Sequence, residues 1–281
     1  MLIGSAVIPH HYRSVFIALL VAVLCGVSTT AFAQATDDDD AKLRPLEPDF
    51  RVINIPTTLP LPLHAGDFEL THRFAGNWRG RDFSDLAADF FGLDEGATIN
   101  FGYRFGLFKH TEVAANRTNF DRTIQLQTKY DAFHQDQGKP VGLSAIASVE
   151  GTNNFSENFA PALGVSISRT FGNYVAAYAD PFWVHNSAAA TGETRDSGFL
   201  GLGARLRLRP GLFIVGEVTP RLGGYAPGDA FYGFGVEMRV GGHVFQLNWG
   251  NTTAGATYAQ IARGGNPESL FFGFNLSRKF F

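Results

Sequence analysis

The sequence predicts an all-β fold, namely a transmembrane antiparallel up-and-down β-barrel of about 12 strands of the outer-membrane type. Three observations predict it. Apolar and polar residues alternate with period two from Asp67 onward, in segments of about 8 to 13 residues. The connections between these segments are alternately long and short, as in outer-membrane barrels. The N-terminus carries the pattern of an export signal.

The composition excludes several other classes of protein. Of the 281 residues, 45% are hydrophobic and 17% are charged, and the formal net charge is -3. Disordered chains and nucleic-acid-binding domains carry more charge than this. A helical membrane protein needs repeated apolar runs of about 18 residues, and only one shorter run is present. We therefore expect no nucleic-acid partner, and no residue pattern indicates a cofactor.

The N-terminus has the parts of a cleavable signal peptide. Arg13 precedes an apolar run from Val15 to Val27, and Ala31-Phe32-Ala33 fits the small-residue site of signal peptidase. We predict that residues 1–33 are the signal peptide, that cleavage follows Ala33 and that the protein is exported to the bacterial outer membrane. The only cysteine, Cys25, lies in the removed part. The mature chain is therefore expected to contain no disulfide and no thiolate metal site.

Residues 34–64 are predicted to be an acidic, Pro-rich segment in the periplasm. A run of aspartates extends from Asp37 to Asp40, and five prolines follow between Pro45 and Pro62. Prolines at this density exclude a helix and a central strand, so the segment is expected to be extended. Residues 51–55 within it are predicted to be either a short strand or a plug-like piece.

The barrel is predicted to occupy residues 65–281. Its strands are predicted at 67–74, 96–105, 110–117, 122–133, 140–150, 159–170, 174–185, 197–209, 211–221, 230–240, 243–251 and 269–280. The clearest strand alternates leucine and alanine with glycine and arginine from Leu200 to Arg209, and three arginines on one face do not fit an ordinary apolar core. The alternative fold, a soluble β-sandwich, usually has strands of only about 5 or 6 residues.

The inward-facing charged residues are the candidates for lining a pore. Every second residue of a strand points to the same face, and this parity places the following residues on the inner face: Arg104, Lys129, Arg205, Arg207, Arg209, Arg239, Lys279, Glu69, Glu112 and Glu217. They have two interpretations. In the first, cross-strand ion pairs fill the lumen, with Glu69 beside the last strand, Glu112 beside Arg104 and Glu217 beside Arg209. In the second, an unpaired excess of positive charge forms a constriction that favours anions.

No catalytic or metal-binding residues are predicted. His185, Ser187 and Ser197 flank a long loop that contains Glu193, and this is the arrangement that keeps a lipid hydrolase as an alternative. The histidines show neither the H-x-H nor the H-E-x-x-H spacing of metal sites.

Three pieces of the sequence carry a family resemblance. They are His72-Arg73-Phe74, the segment 91–94 (Phe-Gly-Leu-Asp) and the closing segment 277–280 (Ser-Arg-Lys-Phe). With them the chain resembles a bacterial family of membrane-bound β-barrels catalogued as a domain of unknown function, over about residues 50 to 281. The resemblance implies a barrel and a membrane location, and it implies no activity and no site residues.

The predicted function is a narrow, porin-like pore or transporter for small solutes, anions among them. The first alternative is a filled structural or interaction barrel with binding loops, and the second is a barrel lipid hydrolase. The expected partners are outer-membrane lipids, small solutes and the barrel-insertion machinery, to which many such barrels present a terminal aromatic residue such as Phe281.

Overall fold

The computed structural model describes residues 46–188 and 191–280, and these form a barrel of antiparallel strands. The strands are β1 (Gly66–Asn77), β2 (Ala97–Phe108), β3 (Thr111–Thr118), β4 (Ile124–Phe133), β5 (Gly142–Gly151), β6 (Glu157–Phe171), β7 (Val175–Val184), β8 (Ser197–Arg209), β9 (Leu212–Thr219), β10 (Arg221–Gly224), β11 (Phe231–Val240), β12 (His243–Gly250) and β13 (Phe271–Phe280). The predicted signal peptide and its cleavage site lie outside the described residues.

The barrel is closed by the pairing of its first and last strands. β1 pairs with β2 on one side and with β13 on the other, from Gly66 opposite Phe280 to Arg73 opposite Gly273. β9 and β10 form one crossing that is interrupted at Pro220, because proline lacks the N–H that the ladder needs. The wall therefore has twelve crossings, which confirms the predicted strand number, and closure leaves no unpaired edge.

The two ends of the barrel differ in the length of their connections. At the short-turn end, strands are joined within three residues at 109–110, 172–174, 210–211 and 241–242. Gly211 and Gly241 have φ values of 76° and 57°, which tight turns of this kind require. At the long-loop end, the longest connections are 78–96, 185–196 and 251–270, as the sequence predicted.

The loops contain short helices. The α-helices are Phe83–Ala88, Thr152–Phe155 and Tyr258–Arg263, and the 3-10 turns are Phe90–Glu95, Phe120–Arg122 and Gln135–Gln137. No helix among the described residues has both the length and the apolar character to cross a membrane.

The two faces of the wall follow the predicted parity. On β2, Phe101 is 53% exposed on the outside whereas Arg104 is 5% exposed on the inside. On β8, Leu202 and Leu206 face outward and Arg205 is fully buried inside. Aromatic residues cluster on the outside near the long-loop end, where the ring centroids of Trp78 and Phe272 are 5.5 Å apart. This matches the interfacial aromatic girdle of membrane barrels.

The interior of the barrel is occupied. Residues 46–65, which we call the plug hairpin, enter the space inside the wall, and they are buried except at residue 60 and at the exposed residues 62–64. The sequence predicted a periplasmic segment over residues 34–64, and this is wrong for residues 46–61, which lie inside the barrel. Proline excludes regular structure but does not decide whether an extended segment is solvated or enclosed, and the apolar side chains of Val52, Ile53 and Ile55 favour enclosure. Of the two interpretations of residues 51–55, the plug-like piece is the one observed.

Candidate functional site

Charged side chains cover one side of the lumen, which we call the charged wall. It consists of inward-facing residues of β13 and β1 to β4, namely Asp67, Glu69, Arg104, Glu112, Lys129, Asp131 and Lys279. Arg104 is at its centre, with guanidinium nitrogens 2.8 Å from Glu69 and 3.3 Å from both Asp67 and Glu112. Lys129 Nζ lies 3.4 Å from Glu112 and 3.6 Å from Asp131. These cations are compensated by acids of the same wall.

Apolar side chains cover the other side of the lumen, which we call the apolar wall. It consists of inward-facing residues of β6 to β9, namely Ala160, Ala162, Ala176, Tyr178, Phe182, Val184, Phe199, Phe213 and Val215. All are less than 4% exposed because the contents of the lumen cover them. A water-filled lumen would expose this wall, at a cost of about 25 cal/mol for each Å² of apolar surface.

One ion pair lies between the two walls. Arg205 Nε on β8 is 2.7 Å from Glu237 Oε1 on β11, and both side chains are fully buried. The guanidinium also donates to the hydroxyl of Tyr178 at 3.0 Å and to the carbonyl of Arg51 at 3.0 Å. Gln246 donates to Glu237 at 2.9 Å. The pair is thus fully hydrogen-bonded, as a buried ion pair must be to avoid a large desolvation cost.

The plug hairpin runs into the lumen and returns to the short-turn end, where it joins β1. Its tip is a tight turn from Arg51 to Pro56, closed by a hydrogen bond from Val52 N to Ile55 O of 2.9 Å. The two arms are also joined from Thr57 N to Phe50 O, at 2.9 Å. The hairpin therefore has its own backbone hydrogen bonds, and at its end His64 and Ala65 bond to the backbone of Gly106 on β2.

Glu217 on β9 holds the tip of the plug hairpin. Its carboxylate accepts the backbone N–H groups of Ile53, Asn54 and Ile55 at 2.9, 3.0 and 3.2 Å. Three convergent N–H donors compensate a buried carboxylate without a cation. Further bonds to the tip come from Gln246, whose amide donates to Val52 O at 2.6 Å, and from Asn275, whose amide donates to Ile53 O at 3.0 Å.

The charged wall contacts the arms of the plug hairpin. Arg51 Nε lies 2.7 Å from Glu69, and Lys279 Nζ lies 3.4 Å from Asp49. Phe50 is surrounded by three cations, with its ring centroid 4.8 Å from Arg104 Cζ, 5.4 Å from Lys129 Nζ and 5.3 Å from Lys279 Nζ. Cations over an aromatic face are favourable, more so away from water.

Two glycines of β8 make room for the tip of the plug hairpin on the apolar wall. A Cβ on Gly203 would lie 2.8 Å from Ile55 Cδ1 and 3.1 Å from Val52 Cγ2, and a Cβ on Gly201 would lie 2.8 Å from Ile55 Cγ2. Side chains at these positions would collide with the hairpin. The inward-facing glycines of this strand therefore serve a packing role for the enclosed segment.

A second segment enters the lumen from the long-loop end. It is the connection 251–270, which we call the inward loop, and its helix Tyr258–Arg263 is buried through Ala262. Tyr258 stacks on Phe182 with ring centroids 4.3 Å apart. Glu150 on β5 accepts from the hydroxyl of Thr257 at 2.9 Å and from the N–H of Ala259 at 3.1 Å. The loop meets the hairpin where Arg51 donates to Ala256 O at 3.2 Å.

The structure brings most of the predicted lumen residues together. Arg104, Lys129, Arg205, Lys279, Glu69, Glu112 and Glu217 are all buried inside, and the predicted contact of Glu112 with Arg104 is confirmed. Arg207 and Arg239 are partly exposed and Arg209 is exposed, close to the short turns. The role of all these residues in solute passage stays a prediction.

Two of the predicted charge relations are wrong. Glu217 does not lie beside Arg209, because the ladder places it opposite Gly203 whereas Arg209 is opposite Leu212. An unpaired excess of positive charge is also wrong for the buried cations Arg104, Lys129 and Arg205, since each pairs with an acid of the wall. The alternation within a strand predicted which face each residue lies on. The acid that pairs with each cation depends on the register between neighbouring strands, which alternation does not give.

The residues considered for a lipid hydrolase do not assemble into a triad. His185 Nδ1 lies 2.7 Å from Asp196 Oδ1. Ser187 and Ser197 instead share a hydrogen bond of 2.6 Å inside the barrel, and Glu193 pairs with Arg195. Among the described residues no hydrogen bond joins His185 to either serine. The same residues hold no group of three metal-ligating acids or histidines.

The comparison with protein families decides the identity of the barrel. The model of a membrane bound beta barrel domain, DUF5777, matches residues 49–280. This chain belongs to that family. The match begins at Asp49, so most of the plug hairpin belongs to the DUF5777 domain together with the wall. No curated protein matches the chain.

Solved structures with a similar fold share little sequence identity with this chain. The KdgM porin is 8% identical, with a TM-score of 0.49, and the alignment covers 77% of this chain and 99% of that chain. The NanC porin is 7% identical, with a TM-score of 0.48 and the same coverage of 77% and 99%. The outer membrane protein Omp33 of Acinetobacter baumannii is 11% identical, with a TM-score of 0.41 and coverage of 79% and 100%.

The sequence carried two signals of the occupied lumen. The Pro-rich segment contains the apolar residues Val52, Ile53 and Ile55, which a solvated linker has no reason to contain. The inward face of β8 alternates Gly201 and Gly203 with arginine, so it has space for another segment. Neither signal identifies its partner, because the contact joins residues about 150 positions apart, as in the hydrogen bond from Arg205 to Arg51 with a separation of 154.

Proposed function

We propose that this protein is a pore of the bacterial outer membrane that conducts small solutes when the plug hairpin has left the lumen. The observation that supports this function is that the lumen is filled by a hairpin that forms no strand of the wall. Withdrawal of its buried part, residues 46–61, breaks no strand pairing, so the barrel of twelve crossings stays closed around the space that the hairpin leaves beside the inward loop. In outer-membrane barrels the short-turn end faces the periplasm, so the hairpin would leave in that direction.

The charged wall supports the same function. Its ion pairs lie within the wall itself, as in the contacts of Arg104 with Glu69 and Glu112. Most of them persist when the hairpin leaves, and water then solvates them at low cost. A polar lumen of this kind is typical of membrane barrels that conduct.

A second candidate is a permanently filled barrel that acts as a structural or interaction protein. The observation that favours it is the apolar wall, because Val52 and Ile55 of the hairpin and Tyr258 and Ile261 of the inward loop cover apolar side chains. Exposure of that surface to water opposes opening. The two candidates differ in whether the hairpin moves. Both are non-enzymatic, and we propose no catalytic role.

A reversible crosslink between the hairpin and the wall tests the pore. The hydroxyl oxygens of Thr58 on the hairpin and Ser168 on β6 lie 2.5 Å apart, close enough for a disulfide in a Thr58→Cys, Ser168→Cys variant. Because Cys25 is the only native cysteine, a Cys25→Ser background leaves one pair of thiols. We expect the full-length protein in planar bilayers to show conductance events when reduced and none when oxidised.

The two single-cysteine variants are the controls, and their conductance should not respond to the oxidant. If the folded, inserted protein shows no conductance in either the reduced or the oxidised form, the result would contradict the pore and support the filled barrel.

A further inference from the structure

The acids that line the lumen differ in what compensates them. Asp67, Glu112, Asp131 and Glu237 have cations of the wall as partners, in the pairs formed with Arg104, Lys129 and Arg205. These acids keep their cations whatever fills the lumen. Their charge therefore contributes little to the selectivity of an open passage.

Glu217 and Glu150 are compensated differently. Glu217 accepts backbone N–H groups of the plug hairpin, and Glu150 accepts a hydroxyl and an N–H of the inward loop. No ion pair among the described residues includes either acid. Arg73, a buried cation whose charge acts on Glu217, donates its hydrogen bonds to Asn275 at 2.8 Å and to Asn54 at 3.3 Å. Withdrawal of the hairpin removes the donors of Glu217 and leaves its charge facing the passage.

Asp180 on β7 is a third acid without a cation. Its side chain is fully buried, and neither carboxylate oxygen has a hydrogen bond of standard geometry, although the side chain of Ser166 and the backbone N–H of Ile167 lie nearby. The ladders place Asp180 opposite Gly201 of β8 and Glu217 opposite Gly203 of the same strand. The two acids therefore flank β8 on either side at positions that have no side chain.

Ile55 of the plug hairpin occupies the space between these two acids. A Cβ on either Gly201 or Gly203 would lie 2.8 Å from a carbon of the Ile55 side chain. When the hairpin leaves, Asp180 and Glu217 face a space lined by glycine backbone. The apolar side chain of Ile55 thus fills, in the closed state, the place where a solute would pass two carboxylates.

The formal charge of the buried, inward-facing residues of the wall is also negative. Among the described residues, the buried inward-facing acids of the strands number eight, whereas the bases Arg73, Arg104, Lys129, Arg205 and Lys279 number five. Lys279 pairs with Asp49 of the hairpin at 3.4 Å, so the hairpin takes this negative charge with it when it leaves. The buried lumen is then net negative, although basic residues lie close to the short turns.

We propose that the open pore is selective for small cationic solutes, with Asp180 and Glu217 as its constriction. The inference rests on the proposed pore function. Carboxylates in a narrow, low-dielectric passage raise the local concentration of cations and repel anions, which is how acidic rings act in cation channels. Glu217 has two roles, since it holds the tip of the plug hairpin in the closed state and attracts the solute in the open state.

Reversal potentials of the full-length protein in a KCl gradient test the proposal. An Ile55→Ala variant weakens the packing of the hairpin without changing any charge, so it is the background in which open events are measured. We expect this variant to prefer K⁺ over Cl⁻. Adding Glu217→Gln or Asp180→Asn should lower the K⁺ to Cl⁻ permeability ratio severalfold.

Glu193→Gln in the same background is the matched control. Glu193 is an exposed acid of the loop at the long-loop end, with 55% of its side chain accessible, and its neutralisation should leave the ratio unchanged. Anion preference in Ile55→Ala, or a ratio that does not respond to Glu217→Gln and Asp180→Asn, would overturn the cation constriction and leave the pore function intact. Absence of any conductance in folded, inserted variants would overturn both.

Discussion

The charged wall and the apolar wall of the lumen face the same enclosed segments but depend on them differently. Most charged residues of the charged wall form ion pairs with each other. The plug hairpin contributes two more ion pairs, from Arg51 to Glu69 and from Asp49 to Lys279. The burial of the apolar wall instead depends on the enclosed segments, because the hairpin and the inward loop cover its side chains and keep water away from them. The apolar wall therefore retains the lumen contents, and the charged wall is the surface that tolerates water.

The largest effect is expected from breaking the charged wall at Arg104. Arg104→Met leaves Asp67, Glu69 and Glu112 without their shared cation, and removal of one partner from a buried ion pair typically costs about 3 to 5 kcal/mol. The free energy of unfolding of the barrel should fall by this amount in urea titrations in vesicles, followed by tryptophan fluorescence. Arg195→Met, at an exposed pair in a loop, is the control and should cost no more than about 1 kcal/mol.

A smaller effect is expected from overpacking the apolar wall at Gly203. Gly203→Val places a Cβ 2.8 Å from Ile55, and overpacking of this kind costs about 1 to 3 kcal/mol. The clash is with the hairpin, so the substitution destabilises the state in which the hairpin occupies the lumen. In a Cys25→Ser, Asn54→Cys background, labelling of the tip by a membrane-impermeant maleimide should accelerate about 5- to 150-fold.

Gly216→Val is the matched control for that experiment. Gly216 lies on the outward face of β9, where an added Cβ meets only Gly233 O at 3.7 Å. Its labelling rate should equal that of the background. Acceleration by both valines would show that the wall itself, and not the hairpin contact, has been loosened.

The inward loop gives a test of the other part of the apolar wall. Phe182→Leu removes the stacking of Phe182 on Tyr258 at 4.3 Å and on Phe199 at 5.3 Å, and such aromatic pairs are worth about 0.5 to 1.5 kcal/mol. Hydrogen exchange of the amides of Tyr258–Arg263 should become faster, as measured by mass spectrometry. Phe245→Leu on the outward face should leave their exchange unchanged, and protection that survives Phe182→Leu would contradict a dominant role of this wall.

The smallest effect is expected from salt. The ion pairs between hairpin and wall are buried, with side-chain exposures of 9% and 7% for Arg51 and Glu69, and buried pairs are screened much less than exposed ones. Labelling of the Asn54→Cys tip should therefore change little when KCl is raised from low to molar concentration. A strong acceleration by salt would mean that the charged wall, and not the apolar wall, retains the hairpin.

The sequence was sufficient for the wall of the barrel and insufficient for its contents. Alternation with period two is a local property, so the strands and the faces of residues such as Leu202 and Arg205 could be predicted from it. The partner of Glu217 could not be predicted, because it is the backbone of a turn at Ile53–Ile55, and no side-chain pattern indicates such a partner. The acids around Arg104 could be predicted only in part, since parity leaves the register between strands undetermined.

The seam between β1 and β13 has a consequence for how the protein is assembled. The plug hairpin immediately precedes the first strand and the inward loop immediately precedes the last, so both segments that fill the barrel are attached at its line of closure. Asp49 accepts from the hydroxyl of Ser277 at 2.9 Å, which joins the hairpin directly to the strand that completes the cylinder. We therefore expect that the pairing of the first strand with the last encloses the hairpin and the inward loop in the same step, without a hollow intermediate.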